Sequence, residues 1–242
     1  MLTTVGTSSL VAEKFGSGRT EVLALHGWGR NGADFARILA PHNGLALHLP
    51  GFGPAPEPPT AWSSADYARE IAQALEGMGP FVVVGHSFGG RIAVRLAAAY
   101  PHLVSHLVLT GVPLTRVTGP AKPKLGFQIA KALHRANLLP DQAMESARQK
   151  YGSEDYRKAS GVMREILVSV IAEDYLDDAA RVLCPVTMVW GEGDKPAPLA
   201  AAKRALEFFP QATLRVVSGA EHLLEGTLEQ EVASAVADAL RD

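Results

Sequence analysis

Short apolar runs alternate along the chain with longer segments in which apolar residues recur at helical spacing. This alternation is typical of domains in which helices connect the strands of a mostly parallel sheet. The pattern predicts six core strands, at residues 21–25, 45–49, 81–84, 106–110, 186–190 and 214–217. It predicts four helices, at residues 65–78, 88–99, 197–209 and 228–240. Residues 2–5 and 9–14 are predicted to form an N-terminal antiparallel hairpin. We therefore expect an α/β fold with a mostly parallel, twisted sheet flanked by helices.

The alternation of strands and helices is interrupted between residues 113 and 181. Helix-like stretches follow one another there with no strand between them, and the segment begins with a loop that contains Gly119 and Pro120. Glycine and proline mark such a loop because neither is favoured inside a helix. The sequence predicts an inserted helical lid at 113–181 and a core domain formed by residues 1–112 and 182–242.

A serine motif, Gly85-x-Ser87-x-Gly89, lies at the junction between a predicted strand and a predicted helix. The strand at 81–84 ends directly before Gly85, and the helix begins at Phe88. A serine on such a strained turn exposes its hydroxyl at the carboxyl edge of the sheet, and flanking glycines let strand and helix approach closely. This order predicts that Ser87 is a nucleophile. The alternative is a serine that caps a helix after a glycine turn.

A nucleophilic serine needs a base to take its proton and an acid to orient that base. In hydrolases with this turn, the acid and then the histidine follow the serine along the chain. Asp194 follows the strand predicted at 186–190, and His222 lies in a loop after the strand predicted at 214–217. The carboxyl ends of parallel strands share one edge of the sheet. We therefore predict that Ser87, Asp194 and His222 meet there as catalytic residues.

Other polar residues compete for these roles. Glu192, two residues before Asp194, is the alternative acid. We expect His86 to pack beside the substrate and His26 to order a loop through hydrogen bonds. The remaining histidines have no neighbouring acid and serine pattern: His42, His48, His102, His106 and His134. No His, Cys or Asp group has the spacing of metal ligands, so neither a metal nor a cofactor is predicted.

Attack on a carbonyl creates a negatively charged oxygen, which prepositioned donors stabilise by about 3 to 4 kcal/mol each. We predict two backbone N–H donors for this oxyanion. One belongs to Phe88, directly after the serine, and the other to Trp28, in the loop after the strand at 21–25. Gly27 and Gly29 allow that loop to turn tightly. The alternative is an ordinary glycine-rich turn before a helix.

Taken together, these segments resemble the α/β-hydrolase superfamily over nearly the whole chain. The matching motifs are His26-Gly27-Trp28-Gly29, Leu49-Pro50-Gly51-Phe52-Gly53, Gly85-His86-Ser87-Phe88-Gly89-Gly90, Trp190-Gly191-Glu192-Gly193-Asp194 and the loop of His222. The resemblance implies the α/β-hydrolase fold and serine hydrolase activity. Epoxide hydrolases and dehalogenases are also similar, but they have Asp where this chain has Ser87.

A narrower resemblance concerns the carboxylesterases. The His-Gly-Trp-Gly loop and the chain length are similar to those of carboxylesterases that include the methyl esterase of biotin synthesis. That resemblance implies cleavage of a methyl ester on a carrier-linked acyl chain. The sequence departs from the relatives at Ala220-Glu221-His222, where Ala-Gly-His is common.

Composition limits the possible partners. Hydrophobic residues make up 47% of the 242 residues, which is ordinary for a globular protein. The net charge of -2 does not favour nucleic acid as a partner. Cys184 is the only cysteine, so no intramolecular disulfide can form. We find no signal-peptide pattern and no apolar stretch near the roughly 20 residues that cross a bilayer. We expect a cytoplasmic protein that acts on a small molecule, without a membrane partner.

Positive charge is concentrated in the predicted lid. Residues 113–164 contain ten Lys and Arg but only four Asp and Glu. One interpretation is a docking face for an anionic partner such as an acyl carrier protein or a coenzyme A ester. The other interpretation is a solvated helical surface without a partner.

The sequence thus predicts hydrolysis of a carboxylic ester or thioester of a small or medium acyl substrate, through an acyl-enzyme on Ser87. A C–C bond hydrolase would use the same three residues. A non-catalytic ligand-binding member of the fold is a third hypothesis, because a fold does not determine function. The intact set of Ser, Asp and His argues against this third hypothesis.

Overall fold

The computed structural model describes residues 1–6, 8–115, 125–136 and 138–241. Eight strands within these residues form one sheet in the order β1-β2-β4-β3-β5-β6-β7-β8. The strands are β1 (Leu2–Thr4), β2 (Val11–Phe15), β3 (Val22–Leu25), β4 (Gly44–His48), β5 (Phe81–His86), β6 (Val104–Thr110), β7 (Val186–Gly191) and β8 (Ala212–Val217). Strands β3 to β8 are parallel, and β1 and β2 add an antiparallel edge. The predicted α/β fold with a mostly parallel sheet is confirmed.

Helices flank both faces of the sheet. They are α1 (Ala36–Leu39), α2 (Ser64–Ala74), α3 (Phe88–Ala99), α4 (Leu125–Arg135), α5 (Asp141–Tyr151), α6 (Glu154–Lys158), α7 (Gly161–Ala172), α8 (Leu176–Ala179), α9 (Leu199–Leu206) and α10 (Gly226–Ala239). Two short 3-10 helices are Gly32–Phe35 and Pro101–Leu103. None of the described helices has the length and apolarity needed to cross a lipid bilayer.

The central strand β5 is buried on both of its faces. Phe81 and Val83 belong to a core that includes residues of α2 and α3, whereas Val82 and Val84 belong to the core beneath α1 and α10. A strand covered on both faces consists of a continuous apolar run rather than an alternating one. Because β5 is held between two cores, the residue after its carboxyl end has a well-defined position.

The ends of several elements differ from the predicted ends by a few residues. Strand β6 begins two residues earlier than predicted, at Val104, and β8 also begins two residues earlier, at Ala212. Helix α2 ends at Ala74 rather than at residue 78. The backbone N–H of Leu75 caps this helix, and Gly77 has a φ of 75°, which an α-helix does not allow.

The predicted lid segment contains helices α4 to α8, and its described part contains no strand. Within α7, the side chains of Met163, Ile166 and Val170 are buried in the core above the sheet. The boundaries of a lid at 113 and 181 stay a prediction. Residues 116–124, which include the predicted Gly119-Pro120 loop, lie outside the described residues.

A polar cluster joins the end of the lid segment to the core. Arg95 in α3 forms an ion pair with Asp178, and its guanidinium lies 4.9 Å from the centre of the Tyr175 ring. The Tyr175 hydroxyl donates a 2.8 Å hydrogen bond to Glu173, and the Ser64 hydroxyl donates to the same carboxylate. These contacts hold the chain that returns from the lid segment to β7 against α2 and α3.

Candidate active site

Ser87 lies on the tight turn between β5 and α3. Its φ of 50° makes it the one non-glycine residue with a positive φ among the described residues. Such a conformation is strained and requires support from the surrounding structure. The Ser87 N–H donates to the carbonyl oxygen of Thr110 at 3.0 Å, which ties the turn to the neighbouring strand β6.

Two glycines after Ser87 permit the close packing of this turn. A Cβ atom at Gly89 would overlap the carbonyl group of Leu25, and one at Gly90 would overlap the Val112 side chain. The backbone N–H of Gly89 instead donates to the carbonyl of His26 at 2.9 Å. The glycines of the motif therefore have the steric role that the sequence predicted.

His222 connects Ser87 to Asp194 through two hydrogen bonds. Its Nε2 atom lies 3.2 Å from Ser87 Oγ, and its Nδ1 atom lies 2.8 Å from Asp194 Oδ2. The network places the proton on Nδ1, which donates to the carboxylate, and leaves the Nε2 lone pair to accept from the serine hydroxyl. The structure thus brings together three residues that are far apart in sequence. The arrangement can deprotonate the serine as it attacks an electrophile.

Asp194 is almost completely buried, with 1% of its side chain exposed. Its second oxygen, Oδ1, accepts a 2.7 Å hydrogen bond from the backbone N–H of Ala197. The two carboxylate oxygens therefore have different donors, and this fixes the orientation of the carboxyl group. Glu192, the alternative acid, is exposed and accepts instead from the Ser218 hydroxyl at 2.8 Å.

Gly111 at the end of β6 leaves space for this pair. A Cβ atom at Gly111 would approach the His222 ring to 3.0 Å and Asp194 Oδ2 to 3.3 Å. The φ of Gly111 is 60°, which also favours glycine. The loop after β6 thus supplies no acid. Because Gly111 has no side chain, the acid and the base from later loops fit beside it.

A cavity of about 580 Å³ opens at Ser87, and Trp28 and Phe88, the residues of the two predicted oxyanion donors, are among those that line it. Among the described residues, the backbone N–H groups of Trp28 and Phe88 donate to no backbone carbonyl. The Trp28 and Phe88 rings pack edge to face with their centres 5.2 Å apart, and the centre of the Phe52 ring lies 4.9 Å from that of Trp28. The predicted oxyanion loop is therefore held against the serine turn by aromatic packing.

His26 orders this loop from below, as its position in the motif predicted. Its Nδ1–H donates to the Gly27 carbonyl at 2.7 Å, and its Nε2 accepts from the Leu49 N–H at 3.0 Å. Burial lowers the pKa of His26 to about 4, so the ring is neutral at neutral pH and can both donate and accept. Both bonds require that neutral tautomer.

Sequence reasoning did not identify the charged wall of the cavity. Glu154, Asp155 and Lys158 on the short helix α6 line it, as does Arg91 on α3. Lys158 donates to Glu154 at 2.7 Å. Burial, together with the charge of Glu154, raises the pKa of the Asp155 carboxyl. No motif marks these residues, because their place at the cavity depends on tertiary structure rather than on neighbours in the chain.

His86 was predicted to pack beside the substrate, and the structure shows in addition a specific contact with the backbone of His222. Its ring is 3% exposed, and its Nε2 lies 3.0 Å from the backbone carbonyl oxygen of His222. Burial lowers the pKa of His86 to about 4, so the ring is neutral at neutral pH. The adjacency of His86 to the serine was visible in the sequence, but nothing there connected it to a residue 136 positions away.

The described residues contain no group of three or more His, Cys, Asp and Glu side chains that could hold a metal ion. At Ser87, the side chains of His222 and Asp194 are connected in series to one hydroxyl. A serine hydroxyl, a histidine, a buried carboxylate and the two predicted backbone donors form a set of groups that suits acyl transfer.

The chain is similar to known proteins over most of its length. A family model described as alpha/beta hydrolase fold matches residues 21–224. The chain is 28% identical to a pimeloyl-[acyl-carrier protein] methyl ester esterase of Chromobacterium violaceum, over 96% of this chain and 98% of the relative. It is 26% identical to a 2-hydroxy-6-oxononadienedioate/2-hydroxy-6-oxononatrienedioate hydrolase of Burkholderia vietnamiensis, over 86% and 82% of the two chains.

Among solved structures, the chain resembles a serine hydrolase involved in carbazole degradation. The TM-score is 0.73 with 21% identity, and the match covers 100% of this chain and 98% of the other. At that identity the likeness concerns the fold. Together with the family model, it confirms the superfamily that the sequence motifs indicated.

Proposed function

Because the chain belongs to the alpha/beta hydrolase family, we propose that it cleaves a carboxylic ester or thioester through an acyl-enzyme on Ser87. Membership of this family makes the chain a hydrolase, and the proposal concerns which type of bond it cleaves. The observation that carries the proposal is the continuous hydrogen-bonded chain from Ser87 through His222 to buried Asp194 at the edge of the cavity. Similarity to an esterase over nearly the full length supports the choice of an ester.

The proposed reaction has two halves. Ser87 Oγ attacks the carbonyl carbon while His222 Nε2 takes the hydroxyl proton, and the N–H groups of Trp28 and Phe88 stabilise the oxyanion. The tetrahedral intermediate expels the alcohol or thiol, which receives the proton from His222. A water molecule then attacks the acyl group with His222 again as base, releasing the acid and restoring Ser87. Asp194 orients the imidazole throughout.

Covalent labelling tests this proposal. We expect a fluorophosphonate to modify the protein with one equivalent on Ser87, identified by mass spectrometry of the proteolytic peptide. Turnover of short- and medium-chain nitrophenyl esters should fall in proportion to labelling, because one hydroxyl carries out both reactions. Label on another residue, or full turnover after complete labelling, would contradict the proposal.

A C–C bond hydrolase is the second candidate. The relative named as a hydrolase of 2-hydroxy-6-oxo dienedioates favours it, and the same serine, histidine and aspartate would serve. Including a diketone-like compound in the panel separates the two candidates. A kcat/KM for the diketone far above that of every ester would favour C–C cleavage.

An acyl carrier protein or a coenzyme A ester is the partner we propose for the basic lid segment. The side chains of Arg135, Lys150 and Arg157 are exposed there, whereas Arg164 is partly neutralised by Glu145 at 2.9 Å. Arg116, Lys122 and Lys124, which were counted in the positive excess, lie outside the described residues. The relative whose name includes an acyl-carrier protein supports this choice.

Salt dependence tests the proposed docking. Between about 0.05 and 0.5 M NaCl, we expect kcat/KM for a carrier-linked ester to fall by about tenfold or more, because screening weakens attraction between oppositely charged surfaces. The kcat/KM for a neutral nitrophenyl ester serves as the control and should change little. An equally flat response for both substrates would exclude docking through this face.

A further inference from the structure

We propose that His86 is a positioning residue that holds the base His222 in register with Ser87, through a hydrogen bond to the backbone of His222. The inference rests on the proposed function and deepens it at the same site. In this role His86 acts through the loop that carries the base.

The donor belongs to a rigid part of the molecule. His86 is the last residue of β5, which pairs with β3 on one side and β6 on the other. Its ring is 3% exposed, and a Cβ atom at Gly27 would lie 3.0 Å from its Nδ1, so the ring packs directly against the oxyanion loop. His86 is therefore fixed relative to Ser87, its neighbour in the chain.

The direction of the hydrogen bond is determined by its acceptor. A backbone carbonyl can only accept, so the 3.0 Å contact requires a proton on His86 Nε2. The other ring nitrogen, Nδ1, has no hydrogen-bond partner within the described part of the chain. Buried polar atoms usually form hydrogen bonds. For the His86 ring, the hydrogen bond to the His222 carbonyl meets this need at Nε2. The low pKa of His86 keeps the ring neutral during turnover near neutral pH.

The acceptor belongs to an irregular segment, which we call the His222 loop (residues 218–225). The loop has no helix or strand of its own. Near its start, Ala220 accepts a 2.9 Å hydrogen bond from the Gly193 N–H. The bond from His86 is made at the base itself, and the two imidazole rings lie 5.1 Å apart. This bond therefore restrains the backbone from which the His222 side chain extends.

Small displacements of this backbone should affect proton transfer. The distance from His222 Nε2 to Ser87 Oγ is 3.2 Å, at the long end of the hydrogen-bond range, so a further separation would weaken this contact. A misplacement of about 1 Å can lower a reaction rate by about 100-fold. A rigid donor at the His222 carbonyl would prevent that displacement, and its loss should lower kcat without weakening substrate binding.

Three substitutions separate the hydrogen bond from the packing. In His86→Gln the amide nitrogen follows Cβ by as many bonds as Nε2 does, whereas in His86→Asn it is one bond shorter, and His86→Met has similar volume without a donor. We expect kcat to fall by about 10- to 100-fold in the Met and Asn variants with KM within about threefold of wild type. The Gln variant should retain kcat within about threefold.

A matched control is available on the neighbouring strand. His106 in β6 is also buried, and its Nε2 lies 3.0 Å from Thr187 Oγ1. It precedes Thr110, the partner of His86 in the sheet, by four residues, or about 13 Å along the strand. His106→Met should therefore leave kcat within about twofold of wild type, and its melting temperature reports the cost of losing a buried histidine.

Two outcomes would overturn the positioning role. One is wild-type kcat in His86→Met, and the other is equal loss in the Gln, Asn and Met variants at an unchanged melting temperature. If His86→Met does not fold, equal kcat values in the Gln and Asn variants would likewise overturn the positioning role. Turnover by the wild-type enzyme tests the proposed function separately, because the positioning role is measured as a ratio of variant to wild-type kcat.

Discussion

Ser87→Ala is expected to lower kcat for the best ester substrate by about 10⁴- to 10⁶-fold and to abolish labelling by a fluorophosphonate. The variant lacks the hydroxyl oxygen that His222 Nε2 contacts at 3.2 Å, so no acyl-enzyme can form at this position. Residual hydrolysis should come from water attacking a substrate bound at the oxyanion donors. Steady-state turnover at saturating ester, with labelling measured in parallel, gives both quantities.

The control for this substitution is Ser218→Ala. Ser218 is an exposed serine of the His222 loop, and its hydroxyl donates to Glu192 at 2.8 Å rather than to the cavity. It should retain kcat within about threefold. Ser87→Ala keeps a Cβ atom on the strained turn, so its melting temperature should stay close to that of the wild type. A folded Ser87→Ala variant with wild-type turnover would exclude the serine mechanism.

Asp194→Asn is expected to lower kcat by about 10⁴-fold, or about 5.5 kcal/mol in activation free energy. The local hydrogen bonds determine how the amide would be oriented. The Ala197 N–H requires an acceptor at the Oδ1 position, so the amide NH₂ would face His222 Nδ1 in place of Oδ2. Nδ1 would then have to accept, and the ring proton would move to Nε2. A ring protonated at Nε2 cannot take the proton of Ser87.

Glu192→Gln provides the matched control for Asp194→Asn. It makes the same chemical change two residues earlier, at an exposed carboxylate that accepts from Ser218. We expect kcat within about threefold of wild type, measured at the pH of maximal activity for each variant. The reverse result, a large loss in Glu192→Gln and a small one in Asp194→Asn, would identify Glu192 as the acid.

The parts of the site that depend on local chain geometry could be predicted from the sequence. The apolar run of β5, the serine turn and the start of α3 are contiguous, and the glycines around Ser87 have local steric reasons. Asp194 and His222 could be proposed because each follows a predicted strand, and parallel strands end at one edge. Their placement required only the order of the elements along the chain.

Element ends were predicted less well. Strand β8 begins at Ala212 and helix α2 ends at Ala74, each different from the predicted limit. Hydrophobic periodicity fades at element ends, where capping and turn conformations decide the boundary. Neither difference moves a residue of the candidate site.

The sequence by itself determined the fold class, the identity of the serine turn and the order in which an acid and a histidine follow it. Only the tertiary structure decided which contacts form between them. The bond from His86 to His222 spans 136 residues, and charged residues of α6 line the cavity although they lie far from Ser87 in the sequence. Periodicity and motifs report on neighbours in the chain. The precise distances among Ser87, His222 and Asp194 instead arise from packing between distant segments.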